Sequence, residues 1–510
     1  MVQKRKIWLP FWLILGLFFA FFLRLPSLFE PYSYGDECIY LTLGQAARQG
    51  LVLYRQIHDN KPPLLYLLAA ASGSLFWFRA ILLFWGLATI FLFYKLAQIF
   101  FQKKEKLLKI STLSFAIFSS IPLFEGGVAN AEVFMIGLTI SALILLFPRK
   151  NPSPKIYLVA GILFSLATLF KVPAIFDFLA VLVFLLIVTQ KTNYKLSFGK
   201  FRTLRQRTLS EVEVLITNYF LLALGFLLPI LASLVYFWSQ NALNQYLTAA
   251  FFQNLPYLSS WGGGSPGPLS PGLLVRFAIL VTFFALLWWK RKEINFFILF
   301  VFLWFAFSLF GATLSGRPYP HYLVQVLPSL CLLLAFFFSK QKPKEYLFLS
   351  ASLAVFLLAL FHFRFWVYSP FSPYKNFFLF VSRKWSQEKY FSSFGEKVLR
   401  NYKLGEFIVT SLKPQERVFV WGDSPCVYAL SHHLPPVRYT ASYHIVDFGG
   451  YQETVSAIEK EKPRFIIDLQ DEKRPFPGLY RLLSQKYSLF KKEDGAEIFR
   501  LKLDRKWGGW

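Results

Sequence analysis

Charge is scarce in this chain. Asp, Glu, Lys and Arg make up 16% of its 510 residues, against about 25% in an ordinary soluble domain. Hydrophobic residues reach 55%, in runs too long for a soluble core. Cysteine is nearly absent, and Cys38, Cys331 and Cys426 lack the spacing of a metal site. The residues alone read these as free thiols, with pairing of Cys38 and Cys426 as the alternative. No Gly-rich phosphate loop occurs, and no period of 20–50 residues marks a repeat array. The first apolar run follows Lys4–Lys6 as in a signal peptide, but no small-residue cleavage site ends it; Leu25-Pro26-Ser27-Leu28 stands there instead. It is read as an uncleaved first span.

What remains is a polytopic membrane protein. Ile7–Phe22, Ile81–Phe101, Leu158–Phe170, Ala174–Thr189, Tyr219–Trp238, Leu273–Trp289 and Phe296–Leu314 span or nearly span a bilayer, which needs about 20 apolar residues. Cations punctuate the runs in six clusters: Lys4–Lys6, Lys103–Lys109, Arg149–Lys155, Lys191–Arg207, Lys290–Lys292 and Lys340–Lys344. They hold 22 of the 55 Lys and Arg. Cytoplasmic loops collect such cations, so the segments between clusters cross in pairs. The net charge of +27 is largely topological, and the rest suits anionic lipid headgroups. Nucleic acid is not an expected partner, since no readout fold accompanies the cations.

The pattern predicts about 11 α-helical spans: 7–28, 79–101, 109–124, 131–147, 156–170, 173–189, 216–238, 273–289, 295–314, 320–338 and 345–366. Residues 62–78 read as an interfacial or re-entrant helix, separated by Arg79 from the next span. The N-terminus is cytoplasmic. Residues 30–61, 125–130, 240–272 and 367–510 lie outside, in the plasma (inner) membrane arrangement of a multi-pass protein. The expected domains are 1–366 in the membrane and a small extracytoplasmic α/β domain over 367–510. In the latter, Arg417–Gly422, Arg464–Asp468 and Ala496–Leu501 read as strands, and Gly405–Leu412, Tyr451–Glu461 and Leu479–Tyr487 as helices.

Chemically able residues gather in the outer turns. The first carries Tyr34-Gly35-Asp36-Glu37-Cys38-Ile39-Tyr40 and His58-Asp59-Asn60-Lys61-Pro62-Pro63-Leu64. Adjacent acids in a cleft can divide the roles of general base and orienting group; the structural alternative is a solvated loop. Lys61 either snorkels to the interface or grips a phosphate. Lys171, Arg317 and His321 are the other outer groups suited to a phosphate. Equally, Lys171 can pair with Asp177, and Arg317 and His321 can anchor a span. Glu132 and Asn130, with Tyr40 and His58, read as acceptor or donor contacts. A divalent metal on His321, Asp36 and Glu132 is conceivable without ligand spacing to support it. Asp423, His432, His433 and His444 read as loop surface. The stretch Gln240–Gly272 lacks Lys, Arg, Asp and Glu. Its aromatics (Tyr246, Phe251, Phe252, Tyr257, Trp261) and Gly262-Gly263-Gly264 turn read either as a cover over a lipid-facing cleft or as a connector.

Several of these motifs, in order, resemble the GT-C class of multi-span glycosyltransferases, which includes protein O-mannosyltransferases and bacterial lipid A aminoarabinose transferases. They are Asp36-Glu37 after the first span, Lys61-Pro62-Pro63, Asn130-Ala131-Glu132, Phe170-Lys171-Val172-Pro173, and Gly316-Arg317-Pro318-Tyr319-Pro320-His321-Tyr322 with Leu327-Pro328. The likeness runs from residue 1 to about 340; the tail resembles the extracytoplasmic domain of many members. It implies inverting transfer of a sugar from a polyprenyl-phosphate carrier to a lipid, protein or glycan hydroxyl at the outer face. By the same likeness Asp36 would be the base, with Glu37 beside it, and Lys61 would meet the donor phosphate. A transporter or flippase of lipid-linked sugars is the alternative. Transporters, however, place ionisable groups mid-span in repeated halves, whereas here they sit at outer ends. A receptor or scaffold built on the tail has only the tail in its favour.

Overall fold

The computed structural model describes residues 9–102, 104–147, 153–195, 204–255, 258, 267–365 and 369–502. The Lys4–Lys6 cluster, parts of Arg149–Lys155 and Lys191–Arg207, and Tyr257, Trp261 and Gly262–Gly264 lie outside the described residues.

In chain order the helices are α1 (Phe11–Arg24), α2 (Gly35–Arg48), α3 (Leu64–Ser72), α4 (Leu75–Phe101), α5 (Glu105–Phe118), α6 (Ala131–Leu146), α7 (Pro154–Phe170), α8 (Ile175–Lys195), α9 (Leu204–Ser239), α10 (Leu243–Ala250), α11 (Pro271–Lys290), α12 (Phe296–Ala312), α13 (Leu327–Phe337) and α14 (Pro343–Phe363). Five segments, Phe11–Phe29, Leu75–Phe101, Ile216–Ser239, Pro271–Lys290 and Pro343–Phe363, are long and apolar enough to cross a membrane. Shorter apolar helices accompany them, among them α6, α7, α12 and α13. The chain is a membrane protein.

Local chemistry sets several ends. Ser270 caps α11 by accepting the Leu273 N–H, with Pro271 at the first helical position. Gly73, at φ +75°, ends α3 in the left-handed conformation. The segment read as a span from 320 departs from expectation. Pro320–Gln325 is a 3-10 turn, and the α-helix starts only at Leu327. Arg79 does not separate two segments. It lies inside α4, buried, with its guanidinium donating to the Ser27 carbonyl at 2.8 Å.

Contacts divide the chain into two units. The first comprises Met1–Ser27, Arg79–Tyr236 and Phe251–Pro373; the second, Leu28–Phe78, Phe237–Ala250 and Tyr374–Trp510. The tail thus forms one unit with the first outer segment rather than starting afresh at 367.

In the first unit, helices meet closely where glycine removes side-chain bulk. A Cβ on Gly161 would stand 2.2 Å from the Leu222 carbonyl oxygen, and one on Gly225 2.1 Å from that of Leu158. Arg24, buried at the end of α1, donates to Ser120 Oγ at 3.1 Å, to the Gly126 carbonyl at 2.7 Å and to the Ser119 carbonyl. It thereby satisfies the turn after α5. Two of the predicted cytoplasmic clusters meet through Glu293, which pairs with Lys290 and Lys344, while Glu345 accepts the Asn295 N–H at 2.8 Å.

The second unit carries the sheet. Strands β1 (Phe419–Trp421), β2 (Phe465–Leu469), β3 (Tyr487–Glu493) and β4 (Ala496–Leu501) lie in the order β1-β2-β4-β3. β1 and β2 are parallel, with Val420 opposite Ile467; β4 runs antiparallel to β2 and β3. Alternate residues feed two cores. Val420, Ile467 and Ile498 pack with Leu404, Ile408 and Val427 on one face; Trp421, Ile466 and Phe419 pack with Ile458, Leu479 and Leu483 on the other. The helices of this region are α15 (Ser372–Val381), α16 (Gln387–Ser392), α17 (Glu396–Ser411), α18 (Cys426–Ser431), α19 (Ser442–Asp447), α20 (Tyr451–Glu461) and α21 (Pro477–Lys486). Contrary to the free-thiol reading, Cys38 in α2 and Cys426 in α18 form a disulfide, so the strands' domain is stapled to the segment that carries α2. Cys331 is a buried free thiol.

Candidate active site

The first outer segment is not a solvated loop. Gly35 to Arg48 form α2, so Asp36 and Glu37 occupy a first helical turn, where acids complement the helix dipole. Successive helical residues point about 100° apart, and the two carboxylates part accordingly. Asp36 keeps a third of its side chain exposed, while Glu37 is buried. One turn after Asp36, the Tyr40 hydroxyl donates to Asp36 Oδ2 at 3.0 Å. Asp36 Oδ1 makes no hydrogen bond to protein among the described residues.

Lys61 is fixed at its backbone and shared at its tip. Its carbonyl accepts from the Tyr54 hydroxyl at 2.8 Å, and its N–H donates to the Tyr66 hydroxyl at 3.0 Å. Pro62 and Pro63 then lead into α3. Its Nζ lies 3.6 Å from Asp36 Oδ2, 3.6 Å from Asp59 Oδ2 and 4.9 Å from the Tyr40 ring centre.

Asp59 lies deepest. The Tyr66 hydroxyl donates to its Oδ2 at 2.8 Å, and His444 Nε2 faces its Oδ1 at 3.5 Å. Burial alone would oppose ionisation, but the charge of Lys61, that of His444 once it is protonated, the Asn60 N–H and the Tyr66 hydroxyl outweigh it. They hold the carboxyl down at about 2. His444 is pushed below the ordinary histidine value by burial, against the pull of Asp59. Its neighbour His58 is also buried. The His58 backbone N–H donates to the Arg438 carbonyl at 2.8 Å, and its ring packs edge-on against Tyr439, Phe448 and His444.

In the other unit, three predicted outer turns converge. His321 Nδ1 lies 2.7 Å from Glu125 Oε2, which also accepts from Asn130 Nδ2 at 2.7 Å. His321 Nε2 faces Glu132 Oε1 at 3.9 Å. Lys171 pairs with Glu132, its Nζ 4.1 Å from the Tyr322 ring centre. Glu132, Asn130, Glu125 and His321 are all buried. Asp177 is not the partner of Lys171: it accepts from Trp304 Nε1 at 2.7 Å and Gln325 Nε2 at 2.9 Å. Arg317 is partly exposed, and its N–H donates to Ser315 Oγ at 3.2 Å. Among the described residues, no group of three His, Cys, Asp or Glu is placed to hold a metal ion.

The structure thus brings Asp36, Tyr40 and Lys61 together in one unit, and Asn130, Glu132, Lys171 and His321 in the other. Sequence reasoning gave no role to Asp59, Tyr66 or Glu125, and its reading of His433 and His444 as loop surface is wrong, since both are buried. Asp59 had a signal, an acid two residues before the Lys-Pro-Pro turn. His444 had none, because a contact across 385 positions of chain leaves no local pattern. In the described part of the uncharged stretch, Leu243–Ala250 is helix α10, with Tyr246 buried against Tyr54 and Phe237.

No family model matches the chain, and no curated protein matches it by sequence. Solved structures do. ArnT from Cupriavidus metallidurans in the apo state is similar over 96% of this chain and 97% of its own, with TM-score 0.54 and 13% identity. The same protein bound to undecaprenyl phosphate is similar over the same shares, with TM-score 0.51 and 12% identity. An Archaeoglobus fulgidus oligosaccharyltransferase tethered with an acceptor peptide matches 97% of this chain and 74% of its own, with TM-score 0.43 and 11% identity. The chain has the GT-C fold.

Proposed function

We propose that the protein is an integral-membrane glycosyltransferase that moves a sugar from a polyprenyl-phosphate carrier to an acceptor hydroxyl on the outer face of the membrane, with inversion. The observation that carries this reading is the meeting of Asp36 and Lys61, a partly exposed carboxylate 3.6 Å from an ammonium, on a fold shared with a protein crystallised with undecaprenyl phosphate.

The chemistry follows from those groups. The acceptor oxygen attacks the anomeric carbon and loses its proton to Asp36 Oδ1. The bond from that carbon to the phosphate oxygen breaks, and the electron pair leaves with the polyprenyl phosphate. Lys61 meets the charge that grows on the phosphate. Tyr40 holds Asp36 through Oδ2 and so leaves Oδ1 for the proton. Glu37, buried in the next helical position, has an orienting role. To Glu132, Asn130, Lys171, His321 and Arg317 we assign substrate binding; Lys171 acts there as the counter-charge of Glu132. His58, whose ring is packed among aromatics, supports the segment that carries Lys61.

Purified protein mixed with a radiolabelled sugar carrier should release polyprenyl phosphate and label an acceptor hydroxyl. Lys61→Ala should weaken undecaprenyl phosphate binding, and Lys61→Arg should keep part of it, since both cations bind phosphate with different shapes. Unchanged affinity in Lys61→Ala removes the residue from the phosphate site. Carriage of the intact carrier across vesicles without sugar release would instead make the protein a flippase.

A further inference from the structure

Asp59 is a buried carboxylate with two differently occupied oxygens. Oδ2 takes Lys61 at 3.6 Å and the Tyr66 hydroxyl at 2.8 Å, while Oδ1 faces His444 Nε2 at 3.5 Å. His444 comes from α19, in the C-terminal part of the chain. Its ring is buried, with centroid distances of 4.3 Å to Tyr443, 5.6 Å to Phe448 and 6.0 Å to His58. His444 Nδ1 has no hydrogen-bond partner among the described residues. A neutral imidazole carries one N–H, and Nε2 is the nitrogen with an acceptor in front of it. Two further links hold this wall in place. The His58 N–H donates to the Arg438 carbonyl at 2.8 Å, and the Cys38–Cys426 disulfide ties α2 to α18.

We propose that His444 is a positioning residue for the phosphate grip, acting through Asp59, so that the C-terminal domain completes the donor site. The proposal rests on the reading of Lys61 as the phosphate-binding cation. Its physical basis is competition for one carboxylate. With His444 present, Asp59 divides its charge between the imidazole and the lysine. Without it, the buried carboxylate keeps Lys61, the Tyr66 hydroxyl and the Asn60 N–H but loses the group facing Oδ1, which is costly. The carboxylate then draws on its other neighbour, Lys61, more strongly. A lysine held harder by Asp59 is less available to an incoming phosphate. His444 touches neither phosphate nor sugar in this scheme.

The test is a double-mutant cycle read as undecaprenyl phosphate affinity of the full-length protein in detergent, with Lys61→Ala measured alongside. His444→Phe fills the space but offers no N–H, and should weaken binding about 3- to 10-fold, in the lower part of the range of coupling within a shared network. His444→Gln restores a donor and should recover most of that loss. In an Asp59→Asn background, His444→Phe should add nothing. His444→Leu replaces the phenylalanine if the latter does not express. Additive losses in the cycle, or a glutamine no better than the phenylalanine, overturn the inference while leaving the function intact. If Lys61→Ala itself binds undecaprenyl phosphate as the parent does, the functional reading falls first and the inference with it.

Discussion

Cys38 and Cys426, 388 positions apart, are joined by a disulfide that fastens the first helix turn after Asp36 to the sheet-bearing end of the chain. A bond over so long a loop restricts the unfolded chain strongly, and disulfides contribute about 2–4 kcal/mol. They also persist where the compartment is oxidising. Replacing both cysteines by serine should lower the unfolding temperature and the transfer rate together. Alkylation and mass measurement of the parent should find Cys38 and Cys426 blocked until reductant is added. Free reaction of both thiols in unreduced protein would break the tie.

His444 gives the second unit a pH dependence with a definite sign. Burial holds its folded value below the usual one near 6.5, so the unfolded chain takes up a proton first as pH falls. Stability from the neutral, buried ring is therefore complete above about pH 6.5 and is lost as pH falls through the depressed folded value. Asp59, ionised down to about 2, adds a loss only below about pH 4. Between pH 5 and 7 the melting temperature should rise more steeply with pH in the parent than in His444→Gln, the difference isolating this ring from Asp468, raised to about 6 by burial, and from His432, which burial lowers. Equal slopes would show that the ring is not buried neutral.

Much of the architecture was legible because membranes impose simple rules. Cation clusters marked turns, and two of them, Lys290–Lys292 and Lys340–Lys344, do meet around Glu293. The turns carrying Glu132, Lys171 and His321 meet. In the tail, Phe465–Leu469 and Ala496–Leu501 are strands as their apolar runs implied. β3 escaped notice because Tyr487–Glu493 is an edge strand, largely exposed and rich in Lys and Glu. Its signal was Asp494-Gly495, a two-residue turn with both φ positive. The helix α2 was missed for a related reason: its partners include α3 and α18, and α18 lies far along the chain, so its pattern matched neither a span nor a surface helix.

In the first unit the buried Glu132 pairs with the partly buried Lys171. Removing the lysine leaves a buried carboxylate without its cation, which costs up to about 3–5 kcal/mol when both partners are buried and less here. Lys171→Met should therefore express poorly or melt early. Adding Glu132→Gln should recover much of that stability, although substrate binding stays impaired if Glu132 contacts substrate. A double variant no more stable than Lys171→Met would mean that the pair is not what holds this turn.

The close approach at Gly161 and Gly225 makes a packing prediction free of charge. A methyl group at either position would overlap a backbone carbonyl oxygen at 2.2 or 2.1 Å, and backbone cannot swing aside as a side chain can. Gly161→Ala and Gly225→Ala should each destabilise by about 1–3 kcal/mol, seen as a lower detergent melting temperature. Alanine variants as stable as the parent would show that α7 and α9 pack less closely.

The catalytic prediction turns on the difference between Asp36 and its neighbour. Asp36 reaches solvent, has Oδ2 held by Tyr40 at 3.0 Å and stands 3.6 Å from Lys61. Glu37 is buried within the same helical turn. On the proposed reading the first, being exposed, takes the proton from the incoming hydroxyl. Asp36→Asn keeps the shape and loses the base, so turnover should fall by about 10² to 10⁴. Undecaprenyl phosphate affinity should change little, because Lys61 keeps Asp59 as its second partner. Tyr40→Phe frees Oδ2 without removing the carboxylate and should lower the rate far less. Glu37→Gln should act mainly on expression and melting temperature, with a smaller loss of rate. A parent rate in Asp36→Asn would move the base elsewhere, with Glu132 the next candidate. A collapse of rate in Glu37→Gln alone, with normal folding, would exchange the roles of the two acids.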